Sequence, residues 1–350
     1  MTLLLIKPLI ISFFTSLLTT PLTILVFRHF GWIEDPKTKS HPKVVHHYPV
    51  PRGGGIPIFL GILAATMTFL APDAHLKAIF LAAFFTLAIG VIDDIFDINP
   101  YFRLFTNFLS AMIIISSGIT IKYVTNPFGG ILSLKRQFWF FNFSDLITLF
   151  WIVWCTNVIG WSGGVEGQLP GFVAITSLVI GLLSLKFSQD IAQWPVIILA
   201  GASAGAYLGF LPFNFHPQKI MPGYSGKSLA GLFLAVLAIL SGAKLATVIL
   251  TLAIPMIDGA WAIIRRLKRG QLPVWGDAEH LHHLLLKAGL KQPSVAIIYW
   301  LFSAILGIIV LQLNSKEKIY ALIMAIAGVS FLIIGLRRII RNKNQSNFSA

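Results

Sequence analysis

Three acidic residues stand close together in a strongly hydrophobic chain. Asp93, Asp94 and Asp97 follow directly on an apolar run. Adjacent carboxylates repel each other, so such a pair is stable mainly with a cation or hydrogen-bond donors nearby. On a helix Asp93 and Asp97 are four residues apart and share a face. A hard cation such as Mg²⁺, shared with the phosphates of a substrate, fits this arrangement. The alternative is a solvated helix end.

A histidine-rich segment is the second group that could do chemistry. Residues 280–283 read His-Leu-His-His and follow Asp277 in the longest basic loop. Histidines three residues apart on a helix, such as His280 and His283, can face one pocket. A zinc site is not favoured, because no third strong ligand has the standard spacing. Donors to phosphate or sugar oxygens are the functional interpretation, and surface histidines are the alternative.

Two glycine-rich segments complete the set. In residues 222–228, Lys227 stands beside Gly226, just before an apolar run. Two residues rather than four separate its glycines, so it is not a Walker loop. A glycine-rich turn at a helix N-terminus can still bind phosphate through its N–H groups. Residues 157–171 hold Glu166 as their only acid, and they either line a cavity or form a plain interhelical loop.

The composition of the chain indicates that these residues are held by membrane-spanning helices. Of 350 residues, 56% are hydrophobic and 11% are charged, against about 25% charged in a soluble domain. Soluble globular, disordered, collagen and coiled-coil proteins are therefore excluded. Apolar stretches of about 20 residues recur along the chain and predict an all-α polytopic membrane protein. The single cysteine, Cys155, excludes a disulfide framework and a cysteine zinc site.

We predict about eleven transmembrane helices in one domain over residues 1–343, followed by a polar tail at 344–350. The first run, 3–27, has no small-residue cleavage site and is predicted to be a retained span. The spans lie near 4–27, 54–71, 76–92, 104–119, 145–160, 170–186, 193–212, 228–243, 245–264, 295–313 and 318–336. Segment 121–143 contains an Asn-Pro-Phe-Gly-Gly turn and is predicted to form a small β-hairpin on the outer surface.

The loops predict the orientation. About two thirds of the 27 lysines and arginines fall on one side if the N-terminus is outside and the C-terminus inside. The net charge of +14 is then mostly cytoplasmic. It either sets the topology and attracts anionic lipid, or it attracts a polyanionic substrate. No soluble basic domain is predicted that could bind nucleic acid.

Seven of the 13 acids share this side, which predicts one polar site there: Asp93, Asp94, Asp97, Glu166, Asp258, Asp277 and Glu279.

The ordered motifs resemble those of the polyprenyl-phosphate N-acetylhexosamine-1-phosphate transferases, or glycosyltransferase family 4. The resemblance covers nearly the whole chain. Residues 49–55 resemble the family's P-x-P-R-x-G-G segment, and 93–97 with Arg103 resemble its D-D-x-x-D box. Residues 209–214 and 217–219 resemble its G-F-L-x-x-N and P-A-K stretch, ending at Asn214 and Lys219. Residues 255–258 match P-x-x-D, and 277–283 resemble D-x-x-H-L-H-H.

The resemblance implies an enzyme of the bacterial cytoplasmic membrane with its active site facing the cytoplasm. It implies transfer of a sugar 1-phosphate from a UDP-N-acetylhexosamine to polyprenyl phosphate, with release of UMP. Its cofactor is Mg²⁺, with Mn²⁺ as a substitute, and a homodimer is compatible with it. The expected catalytic and metal-binding residues are Asp93, Asp94 and Glu166. The expected substrate-binding residues are Asp97, Arg103, Asn157, Asn214, Lys219, Lys227, Asp277, His280, His282 and His283.

Two departures from the family pattern leave alternatives open. In the family's N-x-x-N-x-x-D-G-x-D-G loop, Gly160 and Gly163 replace the second Asn and the first Asp, and Glu166 replaces the second Asp. Tyr224 stands where the family has a metal-binding Asp. Either Lys227 supplies part of the charge of the metal, or the chain binds polyprenyl phosphate or nucleotide-sugar without turnover. The intact acid pair and histidine segment favour a transferase. A transporter is disfavoured, because few ionisable residues lie near the membrane midplane.

Overall fold

The computed structural model describes residues 1–36, 48–126, 130–138, 141–242, 244–272 and 279–348. The helices in these ranges are α1 (Leu3–His29), α2 (Gly55–Phe69), α3 (Ala74–Phe96), α4 (Pro100–Ser116), α5 (Phe143–Ser162), α6 (Gln168–Leu185), α7 (Trp194–Asn214), α8 (Gly223–Leu240), α9 (Leu245–Thr251), α10 (Ala253–Lys268), α11 (Leu281–Lys287), α12 (Gln292–Gln312) and α13 (Ser315–Phe348). A short 3₁₀ turn, Ile191–Gln193, precedes α7.

Long apolar helices confirm the prediction of an all-α polytopic membrane protein. Among the described residues, eight helices can span a membrane by length and composition. A ninth span results if α9 and α10, which meet at an angle of 86°, are counted together. Every predicted span contains helix, but α2 has 15 residues and α4 has 17, against about 20 for a full crossing. The count of eleven, the orientation and the domain limits stay predictions.

The strands are short, with two or three residues each. Strands β1 (Ile33–Glu34) and β2 (Val50–Pro51) pair antiparallel after α1. The segment predicted as one hairpin holds two antiparallel pairs, β3 (Tyr123–Thr125) with β4 (Ile131–Ser133) and β5 (Gln137–Phe138) with β6 (Phe141–Asn142). Its location on the outer surface stays a prediction.

The centre of the bundle is made by α6, α7 and α8, most of whose residues are buried. Helix α7 packs against α1 through glycines spaced four residues apart. A Cβ at Gly201, Gly205 or Gly209 would collide with backbone carbonyls of α1. Small residues at this spacing let two membrane helices approach closely.

Hydrogen bonds join the segment before α2 to the segment before α8. Met221 donates its N–H to the carbonyl of Pro51 at 2.8 Å, and Gly54 donates to the carbonyl of Met221 at 3.1 Å. Helix α3 ends at Phe96 beside this junction, since Asp94 contacts the first turn of α8. We call this end of the bundle the site end, and the opposite end the far end.

Candidate active site

Asp94 holds the first turn of α8. Its Oδ1 accepts a hydrogen bond from the N–H of Tyr224 at 2.6 Å. Its Oδ2 accepts from the N–H of Ser225 at 3.2 Å and from the Ser225 hydroxyl at 2.6 Å. Pro222, the residue before α8, makes no side-chain cap. Asp94 therefore supplies from α3 the acceptor that the first N–H groups of a helix need.

Two arginines balance the buried acid pair. Arg103 Nε lies 2.7 Å from Asp93 Oδ1. Arg52 lies 3.7 Å from Asp94 Oδ1 and 4.0 Å from Asp93 Oδ2. Arg103 also contacts the half-exposed side chain of Asp97 at 2.9 Å. Buried carboxylates require such partners, because an uncompensated charge is costly in a low-dielectric interior.

Asp93 retains one buried oxygen that fits a divalent cation. Its Oδ2 has no hydrogen-bond partner among the residues that the structure describes. Glu34 adds a fourth acid to this cluster through its contact of 3.8 Å with Arg52, so four acids face two arginines. Mg²⁺ commonly binds one or two carboxylates together with substrate phosphates and water. Asp93 therefore suits a magnesium ion that a substrate shares.

Glu166 is not part of this acid cluster. Its Oε1 accepts from the hydroxyl of Tyr48 at 2.9 Å, and its Oε2 contacts His216 Nδ1 at 2.6 Å and the N–H of Gln218 at 3.1 Å. In the described parts of the chain, no three His, Cys, Asp or Glu residues form a group able to hold a metal. The expected set of Asp93, Asp94 and Glu166 is thus not assembled, because Glu166 joins three loops instead.

The Tyr48 phenol stays protonated in this contact. Burial, together with its hydrogen bond to Glu166, raises the pKa of Tyr48 to about 12. A protonated phenol donates to the carboxylate and adds no further negative charge. Glu166 therefore acts as a fixed acceptor that holds the glycine-rich loop in place.

The other expected substrate-binding residues lie in different settings. Asn214 accepts from the N–H of Gly167 at 3.1 Å and donates to Gln218 at 3.0 Å. It therefore orders the same loops as Glu166. Asn157 donates its amide to a carbonyl one turn back in α5 at 2.7 Å. Lys219 is exposed. Asp277 lies outside the described residues.

Asp258 of α10 orients the histidine segment. Its Oδ2 lies 2.8 Å from His280 Nδ1, and its Oδ1 accepts from the N–H of Leu281 at 3.1 Å. The rings of His280 and His282 are nearly parallel, with centroids 5.7 Å apart. His283 lies beside them, with its centroid 4.3 Å from that of His282. Three imidazoles therefore form one ordered group.

His282 is buried and neutral. Its pKa lies well below the usual value because of burial, and because of the neighbouring charges of His283, His280 and Lys227. Its Nδ1 has no hydrogen-bond partner within the described chain. A Cβ at Gly164 would collide with this ring, so the glycine is needed for the close contact. One ring nitrogen of His282 is thus available to a ligand.

Lys227 links α8 to the glycine-rich loop. A Cβ on Gly163 would lie 3.2 Å from Lys227 Cε. The first turn of α8 therefore holds Asp94 on one side and carries Lys227 toward the histidines on the other. Tyr224, in the same turn, bonds Asn107 through its hydroxyl at 3.2 Å, and Arg103 lies over its ring at 5.4 Å. An acidic cluster and a basic cluster meet at this helix start.

An arginine of α13 reaches the histidine segment. Arg337 lies 3.2 Å from Glu279 Oε2, and Glu279 precedes His280. Arg269 and Arg265 of the α10 end contact the same carboxylate at 2.8 and 3.5 Å. Partial burial raises the pKa of Glu279, but the hydrogen bond from Arg269 and the charges of the arginines together lower it. Glu279 therefore stays ionised and joins three elements.

Several residues of this site have no specific role in the sequence-based prediction. Asp258 is predicted only as one of the acids of the polar site, and Arg52 is not predicted to take part. Both stand inside motifs, P-x-x-D and P-x-P-R-x-G-G, which is a signal that could have identified them. Tyr48, His216 and Arg337 belong to no motif. Their contacts join segments far apart in the chain, so only the folded structure shows them.

Fold and site together define a polytopic α-helical membrane protein that gathers acidic and basic side chains at one end of its bundle. Residues 76–242 match the sequence model of glycosyl transferase family 4. Decaprenyl-phosphate N-acetylglucosaminephosphotransferase of Mycobacterium tuberculosis is 30% identical over 368 residues, covering 94% of this chain and 87% of that protein. The chain belongs to glycosyl transferase family 4, which confirms the resemblance of its motifs.

Two further relatives match most of the chain. The probable undecaprenyl-phosphate N-acetylglucosaminyl 1-phosphate transferase of Bacillus subtilis is 27% identical, over 93% of this chain and 89% of the relative. Undecaprenyl-phosphate alpha-N-acetylglucosaminyl 1-phosphate transferase of Haemophilus influenzae is 28% identical, over 84% of each chain. The similarity therefore extends well beyond residues 76–242.

Proposed function

We propose that the protein transfers N-acetylhexosamine 1-phosphate from a UDP-sugar to polyprenyl phosphate and releases UMP. The observation that carries this proposal is the start of α8. There, Asp94 holds the backbone of Tyr224 and Ser225, and Lys227 extends toward His282. Negative and positive groups thereby lie at the same helix start, as a metal-assisted reaction of phosphates requires. The relatives are named as transferases of undecaprenyl or decaprenyl phosphate, which supports the same reaction.

The proposed reaction exchanges one phosphorus–oxygen bond for another. A phosphate oxygen of the polyprenyl phosphate bonds to the β-phosphorus of the UDP-sugar. The bond from that phosphorus to the bridging oxygen breaks, and UMP leaves with the electron pair. The attacking oxygen is already anionic at neutral pH, so a strong general base is not needed. Positioning and charge compensation are the main contributions of the protein.

The residues of the site divide these contributions. Lys227 supplies a positive charge to the diphosphate. The Nδ1 of neutral His282, which has no partner among the described residues, offers a hydrogen bond. Asp258 fixes the orientation of His280. Asp93 would hold Mg²⁺, which when bound offsets negative charge on the diphosphate. Asp94 positions these groups by holding α8 in place.

We place this site on the cytoplasmic side of the bacterial cytoplasmic membrane. Arginines cluster at the site end, and positive loops face the cytoplasm in most membrane proteins. Arg265, Arg269 and Arg337 lie at this end. Single cysteines introduced at Lys219 and at Lys77 test the placement with an impermeant label on intact cells. Labelling of the first and not of the second would contradict it.

A product assay tests the reaction itself. Purified protein receives undecaprenyl phosphate and, in separate reactions, UDP-N-acetylglucosamine, UDP-N-acetylgalactosamine or UDP-N-acetylmuramoyl-pentapeptide. We expect UMP from a simple N-acetylhexosamine substrate, and only when the lipid phosphate is present. Release of UDP would indicate sugar transfer without phosphate and would refute the proposal. Saturable binding of the nucleotide-sugar without UMP would identify a protein that binds without turnover.

A further inference from the structure

Three lysines converge at the far end of the bundle. Lys186 follows α6, Lys244 precedes α9, and Lys318 lies in the first turn of α13. Helix α6 begins two residues after Glu166 and has 18 residues, a length of about 27 Å. The three lysines are therefore separated from the candidate active site by most of the thickness of a membrane.

The ammonium group of each lysine contacts a residue that lies close in sequence to another lysine of the three, or to the helix that carries it. Lys318 Nζ donates to Thr247 Oγ1 at 3.2 Å, three residues after Lys244. Lys244 Nζ lies 4.3 Å from the ring centroid of Phe187, the neighbour of Lys186. Lys186 Nζ donates to a carbonyl near the end of α12, just before α13 begins. The lysines thus form one connected cluster.

The cluster carries positive charge, and none of the described acids is paired to it. Burial, and after it the nearby charge of Lys318, lower the pKa of Lys244 to about 8. Within the described residues, no carboxylate lies within 4.0 Å of Lys186, Lys244 or Lys318. Glu317 is adjacent in sequence, but its carboxylate accepts from the N–H of Asn314. Such a cluster has the charge that attracts an anion.

An apolar groove begins at the same end. It has a volume of about 630 Å³ and lies between α12 and α13, with Ile254 of α10 at its floor. Glu317 lines its beginning, and Met324, Gly328 and Leu332 follow along α13. The stretch from Glu317 to Leu332 has 16 residues and is about 22 Å long, enough for an acyl chain in one leaflet of a core about 30 Å thick. Met324 is 73% exposed, so the groove opens toward lipid.

We propose that the lysine cluster and the groove bind one anionic phospholipid, with its headgroup phosphate at Lys186, Lys244 and Lys318 and an acyl chain between α12 and α13. Charge complementarity selects the anionic headgroup, and the apolar lining accepts the chain. The polyprenyl phosphate substrate is not the expected occupant, because its phosphate must reach the site end to react. The proposed lipid is therefore structural and distinct from the substrate.

Native mass spectrometry from mixed phosphatidylglycerol and phosphatidylcholine micelles tests the headgroup. We expect the wild-type protein to retain one phosphatidylglycerol in preference to phosphatidylcholine. The Lys186→Gln/Lys244→Gln/Lys318→Gln variant should lose this preference by at least about fivefold. Lys244→Gln alone should weaken it, which keeps the test valid if the triple variant does not fold. Lys77→Gln, an exposed lysine at the same end, should behave as wild type.

Two glycines of α13 provide a matched test of the groove. A Cβ at Gly328 or at Gly335 would meet no atom within 4 Å, but only Gly328 lines the groove. Gly328→Phe should therefore reduce phosphatidylglycerol retention, and Gly335→Phe should not. Equal retention of both lipids by the wild type, or equal effects of the two substitutions, would refute the proposal. Displacement of phosphatidylglycerol by equimolar polyprenyl phosphate would assign the groove to the substrate and would refute it as well.

Discussion

The hydroxyl of Ser225 donates a hydrogen bond to Asp94 Oδ2 at 2.6 Å across 131 positions of sequence. Neighbouring Asp93 leaves its own Oδ2 without a hydrogen-bond partner among the described residues. The two adjacent carboxylates at the end of α3 thus have different roles. Asp94 is a positioning residue for α8, whereas Asp93 has an oxygen available to a cation.

Asp94→Asn should destabilise the protein. The amide has one acceptor oxygen and no charge, whereas the carboxylate accepts three hydrogen bonds from Tyr224 and Ser225. We expect a loss on the order of 2 kcal/mol in the free energy of unfolding, measured by denaturant titration in detergent. Asp97→Asn is the control, because its side chain is half exposed. Equal losses in both variants would contradict the positioning role.

Asp93→Asn should instead alter the response to Mg²⁺. The substitution replaces the carboxylate oxygen that has no hydrogen-bond partner among the described residues by a group that binds hard cations poorly. We expect the Mg²⁺ concentration for half-maximal UMP release to rise by about tenfold, or about 1.4 kcal/mol, with a smaller loss of stability than in Asp94→Asn. An unchanged Mg²⁺ titration would show that Asp93 does not hold the ion.

Lys227→Met should strongly impair turnover. The substitution keeps the apolar stem that passes Gly163 and removes the charge near the diphosphate. We expect kcat/KM to fall by about 100-fold, or about 3 kcal/mol, as for other charge partners of reacting phosphates. Lys291→Met, at an exposed lysine before α12, is the control. Full activity of Lys227→Met would mean that the ammonium group points away from the substrate.

Acid should destabilise the protein through His282. The pKa of His282 is lowered in the folded state by burial and by neighbouring charges, so the unfolded chain binds a proton that the folded chain excludes. Stability is therefore lost as the pH falls below about 6.5, by up to about 1.4 kcal/mol per pH unit. His282→Gln should flatten this dependence of the unfolding midpoint, and His75→Gln at an exposed site should not. Equal slopes in all three proteins would contradict the prediction.

Arg337→Ala should weaken substrate binding, although Arg337 itself is not expected to contact the substrate. Arg337 holds Glu279, the residue before His280, from α13. We expect KM for the UDP-sugar to rise about fivefold, on the order of 1 kcal/mol for one partly buried ion pair. Arg338→Ala is the matched control, since Arg338 is exposed on the same helix. Arg337→Lys should restore part of the loss, and identical KM values in all variants would refute the positioning role.

The location of the site could be predicted from the sequence, and its internal contacts could not. Asp93, Asp94 and the histidine segment stand out because charges are rare in an apolar chain and cluster on one predicted side. The roles of Asp94 and Glu166 depend on hydrogen bonds to distant loops, which no local pattern encodes. Glu166 contacts Tyr48, His216 and Gln218, and its predicted role beside Asp93 and Asp94 stays a prediction.

The positions of the long helices could likewise be predicted from the sequence, whereas their bends and exact ends could not. Hydropathy located every long helix but not the short α11, because burial in lipid demands continuous apolar runs and α11 has only seven residues. It could not show that the run 245–264 bends by 86° between Thr251 and Ala253, because both halves are apolar. Nor could it show that α2 ends after 15 residues at Phe69.

The most direct test of the central claim follows the β-phosphate of the nucleotide-sugar. Purified protein is incubated with undecaprenyl phosphate and with UDP-N-acetylglucosamine that carries radioactive phosphorus in its β-phosphate. The products are then separated into lipid and water phases. We predict that the label enters the lipid phase together with the sugar and that unlabelled UMP stays in water. Sugar in the lipid phase without the labelled phosphate, or no transfer by a protein that binds both substrates, would contradict the assignment.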